Sequence, residues 1–149
     1  MTIAIGCDHA GFPLKAGILR LLAELGHNAL AFGTNSVEPV DYPDFIIPAA
    51  KAVAQGDADR AIVIGGSGNG EAMAANKVPG IRAAVCHDVT TARLSREHND
   101  ANVLSLGARI VGEQVVRDIV TAWLETKFSG EERHVRRIEK MRKYEEKRG

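Results

Sequence analysis

Cysteine is almost missing from this chain: Cys7 and Cys86 are the only two in 149 residues. Two thiols so far apart make no disulfide framework and lack the spacing of a zinc site, so both are read as reduced and structural. A charge of one sign is missing too. Nineteen Lys and Arg balance nineteen Asp and Glu, so bulk electrostatics selects neither nucleic acid nor a membrane surface as partner, and any basic site must be local. No apolar run approaches the length of a membrane span. The opening stretch MTIAIGCDHAGF has no basic region of a secretory signal, and Asp8 and His9 interrupt its apolar run, so the expected location is cytoplasmic.

What is present is the composition of a globular protein, 45% hydrophobic and 26% charged, at a length that fits a single domain over residues 1–149. Short apolar runs alternate with helical patterns, which predicts βαβ units and a parallel sheet. TIAIG is followed by Pro13 and by Leu14, Ile18, Leu21, Leu22 and Leu25 at helical spacing, with Gly26 as a stop. NALAFG leads to DYPDFIIPAAKAVAQG, where Pro48 predicts a late helix start or a kink. RAIVIG leads to a glycine-rich loop and a short helix ending near KVPG, IRAAVC to a helix from about Asp88, and NVLSLG to a helix after Gly112. A charged helix runs from about Glu131 to Arg148. There is no internal repeat and no low-complexity linker.

The richest stretch is GGSGNGEAMAANK, from Gly65 to Lys77. It is not a phosphate loop of the Walker type, because Glu71 and Ala72 stand where Lys and Ser or Thr are needed, and its spacing is wrong for a dinucleotide fingerprint. Glycines after a strand let backbone N–H groups turn toward an anion or a developing oxyanion, and they also simply make a tight turn. Glu71 has two readings in the same way: a carboxylate favoured at a helix start, or a base beside a row of donors, as proton abstraction next to a carbonyl requires. If the second strand lies outside the first and the third on its other side, the sheet reverses between strands one and three, which brings GCDHAG beside GGSGNGE.

Three further groups stand out. Asp8 and His9 follow the first strand as either a cap or a catalytic pair. In SREHND, His98 and Asn99 end a helix, where the ordinary role is capping and the functional one is acid or base chemistry on a sugar ring. In RHVRR, Arg133 and Arg137 lie one turn apart with His134 beside them, a fork of phosphate size that Arg109 could join. The rest of that helix reads as a solvated charged face. Acidic residues interleave its basic ones and no stacking aromatics accompany them, which excludes a nucleic-acid surface.

Taken together, GCDHAG, DYPDF, GGSGNGEAMAANKVPGIRAAV, LSREHNDANVLSLGARIVG and RHVRRI closely resemble the ribose-5-phosphate isomerase B family, which includes galactose-6-phosphate and allose-6-phosphate isomerases, over nearly the whole chain. The resemblance implies a three-layer α/β/α sandwich with a five-stranded parallel sheet of order 2-1-3-5-4. It also implies an aldose-ketose isomerase with no metal or other cofactor, acting on a sugar phosphate through a cis-enediolate. A homodimer with shared active sites is implied as well, and pairing of dimers is compatible with it. Carried over by residue, Asp8 and His98 open the ring with Asn99 nearby, His9 lines the sugar or phosphate site, Tyr42 packs on the substrate, and Gly66, Ser67, Gly68, Asn69 and Gly70 hold the enediolate oxygens. Arg109, Arg133, His134 and Arg137 take the phosphate. Many members carry a cysteine base at the start of the loop, where this chain has Gly65, so Glu71 matches the glutamate-base subgroup. The sugar could be ribose 5-phosphate, a tetrose phosphate or a hexose 6-phosphate. A silent phosphate-binding module and a purely structural dimer are the readings from other classes.

Overall fold

The computed structural model describes residues 1–148. Five strands alternate with six helices: β1 (Thr2–Cys7), α1 (Phe12–Glu24), β2 (Asn28–Ala31), α2 (Pro43–Ala54), β3 (Arg60–Gly65), α3 (Asn69–Ala75), β4 (Ala83–Val85), α4 (Val89–Asn99), β5 (Val103–Gly107), α5 (Glu113–Glu125) and α6 (Glu132–Arg148). All strand pairs are parallel, in the order β2-β1-β3-β5-β4. The order reverses beside β1 and β3, so the loops after these two strands meet at one end of the sheet.

Alternation along the central strands divides the core in two. Ile3, Ile5, Ile62, Ile64, Leu104 and Leu106 pack with Ile18, Leu22, Ile119, Val120 and Trp123 from α1 and α5, while Ala4, Ala61 and Val63 face Ile46, Ala49, Ala50, Ala74 and Ala75 from α2 and α3. The second layer is built largely from alanine, so its helices sit close to the sheet. A Cβ on Gly6 would lie 2.8 Å from the Phe45 carbonyl oxygen. This close approach seats α2 directly on β1.

Two expectations need adjustment. Helix α2 starts at Pro43 and runs through Pro48, so the start is not late; the ring removes one helical hydrogen bond, to the Asp44 carbonyl, which the apolar face of α2 outweighs. Helix α4 ends at Asn99, but the left-handed capping position is Asp100, at φ 46°. Arg96 reaches its carboxylate at 2.8 Å and holds it there. Helix α6 lies along the outside, touching the body through His134 and through the Glu145 carboxylate, which accepts from the Gly80 N–H at 3.0 Å. Among the described residues no helix is long and apolar enough to cross a membrane.

Candidate active site

The loop after β3 is held by its carbonyls. The Gly65 and Gly66 oxygens accept from the N–H groups of Ala108 and Arg109 at 2.8 and 3.0 Å, and the Gly68 oxygen accepts from the buried Ser105 hydroxyl at 2.6 Å. The N–H groups of Gly66 and Ser67 find no acceptor among the described residues. With the Gly65, Gly66 and Gly68 carbonyls satisfied, the loop presents free donors at Gly66 and Ser67, which is the polarity needed to hold an anionic oxygen. Gly68 makes this turn at φ 84°, a left-handed conformation that costs a side-chain-bearing residue strain.

Glu71 lies in the first turn of α3 and is 4% exposed. Burial pushes its carboxyl above the ordinary glutamate range, with the nearby Asp8 carboxylate adding to the rise, while the N–H groups of Glu71 and Gly68 pull the other way. Of the opposing effects, burial prevails over the helix start. The carboxylate also occupies the space a side chain at position 65 would fill: a Cβ on Gly65 would lie 1.7 Å from Oε1. A residue larger than glycine at 65 therefore requires the Glu71 carboxylate to shift from its place. Gly65→Ala is expected to unfold at lower denaturant than wild type, overpacking of this kind costing about 1–3 kcal/mol, and Glu71→Ala in the same chain should restore most of the loss. Unchanged stability of Gly65→Ala would mean that the carboxylate has another place to lie.

Around this centre the structure gathers most of the first group of candidates. Asp8, 6% exposed, follows β1, and its Oδ1 accepts from the Gly11 N–H at 2.9 Å, so it does cap the turn into α1 while lying close enough to act on Glu71. His9 accepts through Nδ1 from the Val40 N–H at 3.1 Å, which leaves its proton on Nε2 when the ring is neutral. The Tyr42 ring lies against Gly70, within 2.7 Å of where a Cβ would be, and Arg109 lies exposed over Gly66. The Ser67 hydroxyl accepts from the Asn69 N–H at 3.2 Å.

The second group is elsewhere. His98 and His134 stack with centroids 4.4 Å apart and 14° between planes. His134 is 5% exposed, its Nε2 is buried without a partner, and desolvation together with Arg133 holds it below the ordinary imidazole range. Arg133 pairs with Glu131, and Arg137 is exposed one turn further along. This cluster lies where β4 and β5 begin: Arg82, just before β4, donates from Nε to the Asn99 carbonyl at 2.9 Å. Gly65 and Gly107 pair at the opposite end. Four residue steps along β5, about 13 Å, separate the two ends. Within one chain, then, Arg109 does not join Arg133 and Arg137, and Asp8 does not meet His98.

Sequence reasoning passed over two residues that shape the site. Ser105 is a lone hydroxyl in the apolar strand NVLSLG, and Lys15 shares the spacing of Ile18 and Leu22 on the buried side of α1. A polar residue at an apolar position was the available signal in both. Among the described residues, no three His, Cys, Asp or Glu side chains converge as metal ligands.

Residues 3–141 match the model of a family described as ribose/galactose isomerase. The chain is 47% identical to ribose-5-phosphate isomerase B of Escherichia coli, over 98% of this chain and 97% of the other. It superimposes on ribose-5-phosphate isomerase B of Clostridium thermocellum with a TM-score of 0.97 and 51% identity, covering all of both chains. The Mycoplasma genitalium ribose-5-phosphate isomerase B, solved with bound ribulose-5-phosphate, matches with a TM-score of 0.92 and 41% identity over 97% of this chain and 96% of that one.

Proposed function

The chain belongs to the ribose/galactose isomerase family, and from that premise we propose that it is a cytoplasmic, single-domain isomerase interconverting D-ribose 5-phosphate and D-ribulose 5-phosphate with Glu71 as the base and no metal. The observation that carries this reading is the buried Glu71 carboxylate lying against Gly65, beside loop N–H groups that have no acceptor of their own. A base whose proton affinity is raised, next to free backbone donors, suits removal of a proton from a carbon beside a carbonyl.

In this mechanism Glu71 takes the proton from C2 of the open-chain aldose and returns it to C1, while a proton passing from O2 to O1 completes the balance. The N–H groups of the loop from Gly66 to Gly70, with Ser67, hold the enediolate oxygen as charge develops. His9 and Tyr42 flank the sugar, and Arg109 takes the phosphate. Ring opening needs Asp8 and His98 together, and phosphate clamping needs Arg109 with Arg133, His134 and Arg137. Because each pair of groups lies at opposite ends of one chain, a second copy supplies His98, Asn99 and the arginines of α6, and the active unit is a homodimer with two shared sites. Holding the phosphate far from the reacting carbons converts binding energy into orientation.

The test is the specificity constant after EDTA treatment for ribose 5-phosphate, allose 6-phosphate, galactose 6-phosphate and a tetrose phosphate. Ribose 5-phosphate is expected to lead, with no loss on chelation. A higher value for another sugar would reassign the substrate within the isomerase class, loss on chelation would overturn metal independence, and turnover of none would leave only a phosphate-binding module.

A further inference from the structure

We propose that Lys15 is a positioning residue that ties the pocket wall formed by residues 33–42 to the corner between β1 and α1, an inference that rests on the isomerase reading of the site. Lys15 is 8% exposed, and none of the ion pairs among the described residues includes it. An ammonium withdrawn from water without a carboxylate is costly. Packing alone would be served by an apolar residue, as at Ile18 and Leu22 on the same side of α1.

What Lys15 holds is the chain after β2. Its Nζ donates to the Asn35 Oδ1 at 2.9 Å and to the Thr34 carbonyl at 3.3 Å. Thr34 is itself 7% exposed, and its N–H donates to the Cys7 carbonyl at 3.0 Å. The chain crosses the end of β1 in direct contact, since a Cβ on Gly33 would lie 2.4 Å from the Cys7 sulfur. At the far end, the Val40 N–H is held by His9, and Tyr42 follows two residues later with its ring on Gly70. Between the two ties the segment makes little contact, with Val37 63% exposed. Lys15 and His9 thus bracket one wall, and the position of Tyr42 over the glycine loop depends on both.

The experiment compares Lys15→Met, Asn35→Ala and the double variant by kcat, KM and melting temperature, with hydrogen exchange of residues 34–41. Lys15→Met is expected to raise KM for ribose 5-phosphate about tenfold while kcat changes less than about threefold. Asn35→Ala should move KM the same way by less, and the double should match Lys15→Met, because the tie is already cut. Amides of residues 34–41 should exchange faster in each variant, a readout independent of which sugar is the substrate. A Lys15→Met enzyme that melts lower but keeps wild-type KM and exchange would overturn the proposal. Should that variant fail to fold, Asn35→Ala decides, since it changes only an exposed residue: unchanged KM and exchange there overturn it. Wild type inactive on every sugar phosphate would sink the functional reading instead, and the exchange measurement would still judge the tie.

Discussion

Glu71→Gln is expected to lose turnover of ribose 5-phosphate by roughly 10²- to 10⁴-fold and, at the same time, to melt above wild type at neutral pH. The two effects have one cause. A carboxyl whose proton affinity is raised on folding stabilises the fold fully only below its unfolded pKa, and that stability is lost as pH rises through the folded pKa. Above the ordinary glutamate range wild type therefore folds at the cost of either protonating Glu71 or burying its carboxylate, a cost that glutamine avoids. The stability gap between variant and wild type should narrow as pH falls toward the ordinary glutamate range. Activity of wild type should fall on the acid side at a pH above that range, because only the ionised form takes a proton. Thermal melts across pH with parallel rates check both. Normal turnover by Glu71→Gln would remove it as the base, and a lower melting temperature would mean that the carboxylate is held by partners rather than merely tolerated.

Mixing two dead proteins should produce a live one. In the proposed homodimer, Glu71→Gln and His98→Ala would each disable both sites. When the two are unfolded together and refolded at equal amounts, half the dimers are mixed, and each of these has one site with an intact Glu71 and an intact His98. The expected activity is about a quarter of wild type. The reasoning rests on the distance along β5 that keeps the two residues apart within a chain. Absence of any recovery in correctly refolded mixtures would mean that each site is complete within one chain, and the separation would need a movement of α4 and α6 to close it.

The sheet was legible because alternation of short apolar runs with helical spacing has few solutions, and the order 2-1-3-5-4 expected from the family resemblance is the order observed. The glycine loop and Glu71 were legible as candidates, though the sequence left Glu71 between helix-start carboxylate and base. Tyr42 was reached only through resemblance, since nothing in DYPDF tells that its ring lies on Gly70. Lys15 was missed because a lysine between Leu14 and Ala16 reads as the exposed edge of a helix until its nitrogen is seen against Thr34 and Asn35. Pro48 did not delay the start of α2, since one lost hydrogen bond is a local penalty and the burial of Ile46, Ala49 and Ala50 is a collective gain.

By itself, then, the sequence determined the parallel α/β architecture and the family and named the candidate site residues, because these depend on local periodicity and on motifs contiguous in the chain. The tertiary structure decided three things that no local pattern encodes. Burial outweighs the helix start at Glu71, the carboxylate fills the space vacated at Gly65, and Asp8 and His98 stand at opposite ends of the sheet. The first two are set by how closely the alanine-lined helices approach the strands, and the third relates residues far apart in sequence through which end of each strand a loop leaves.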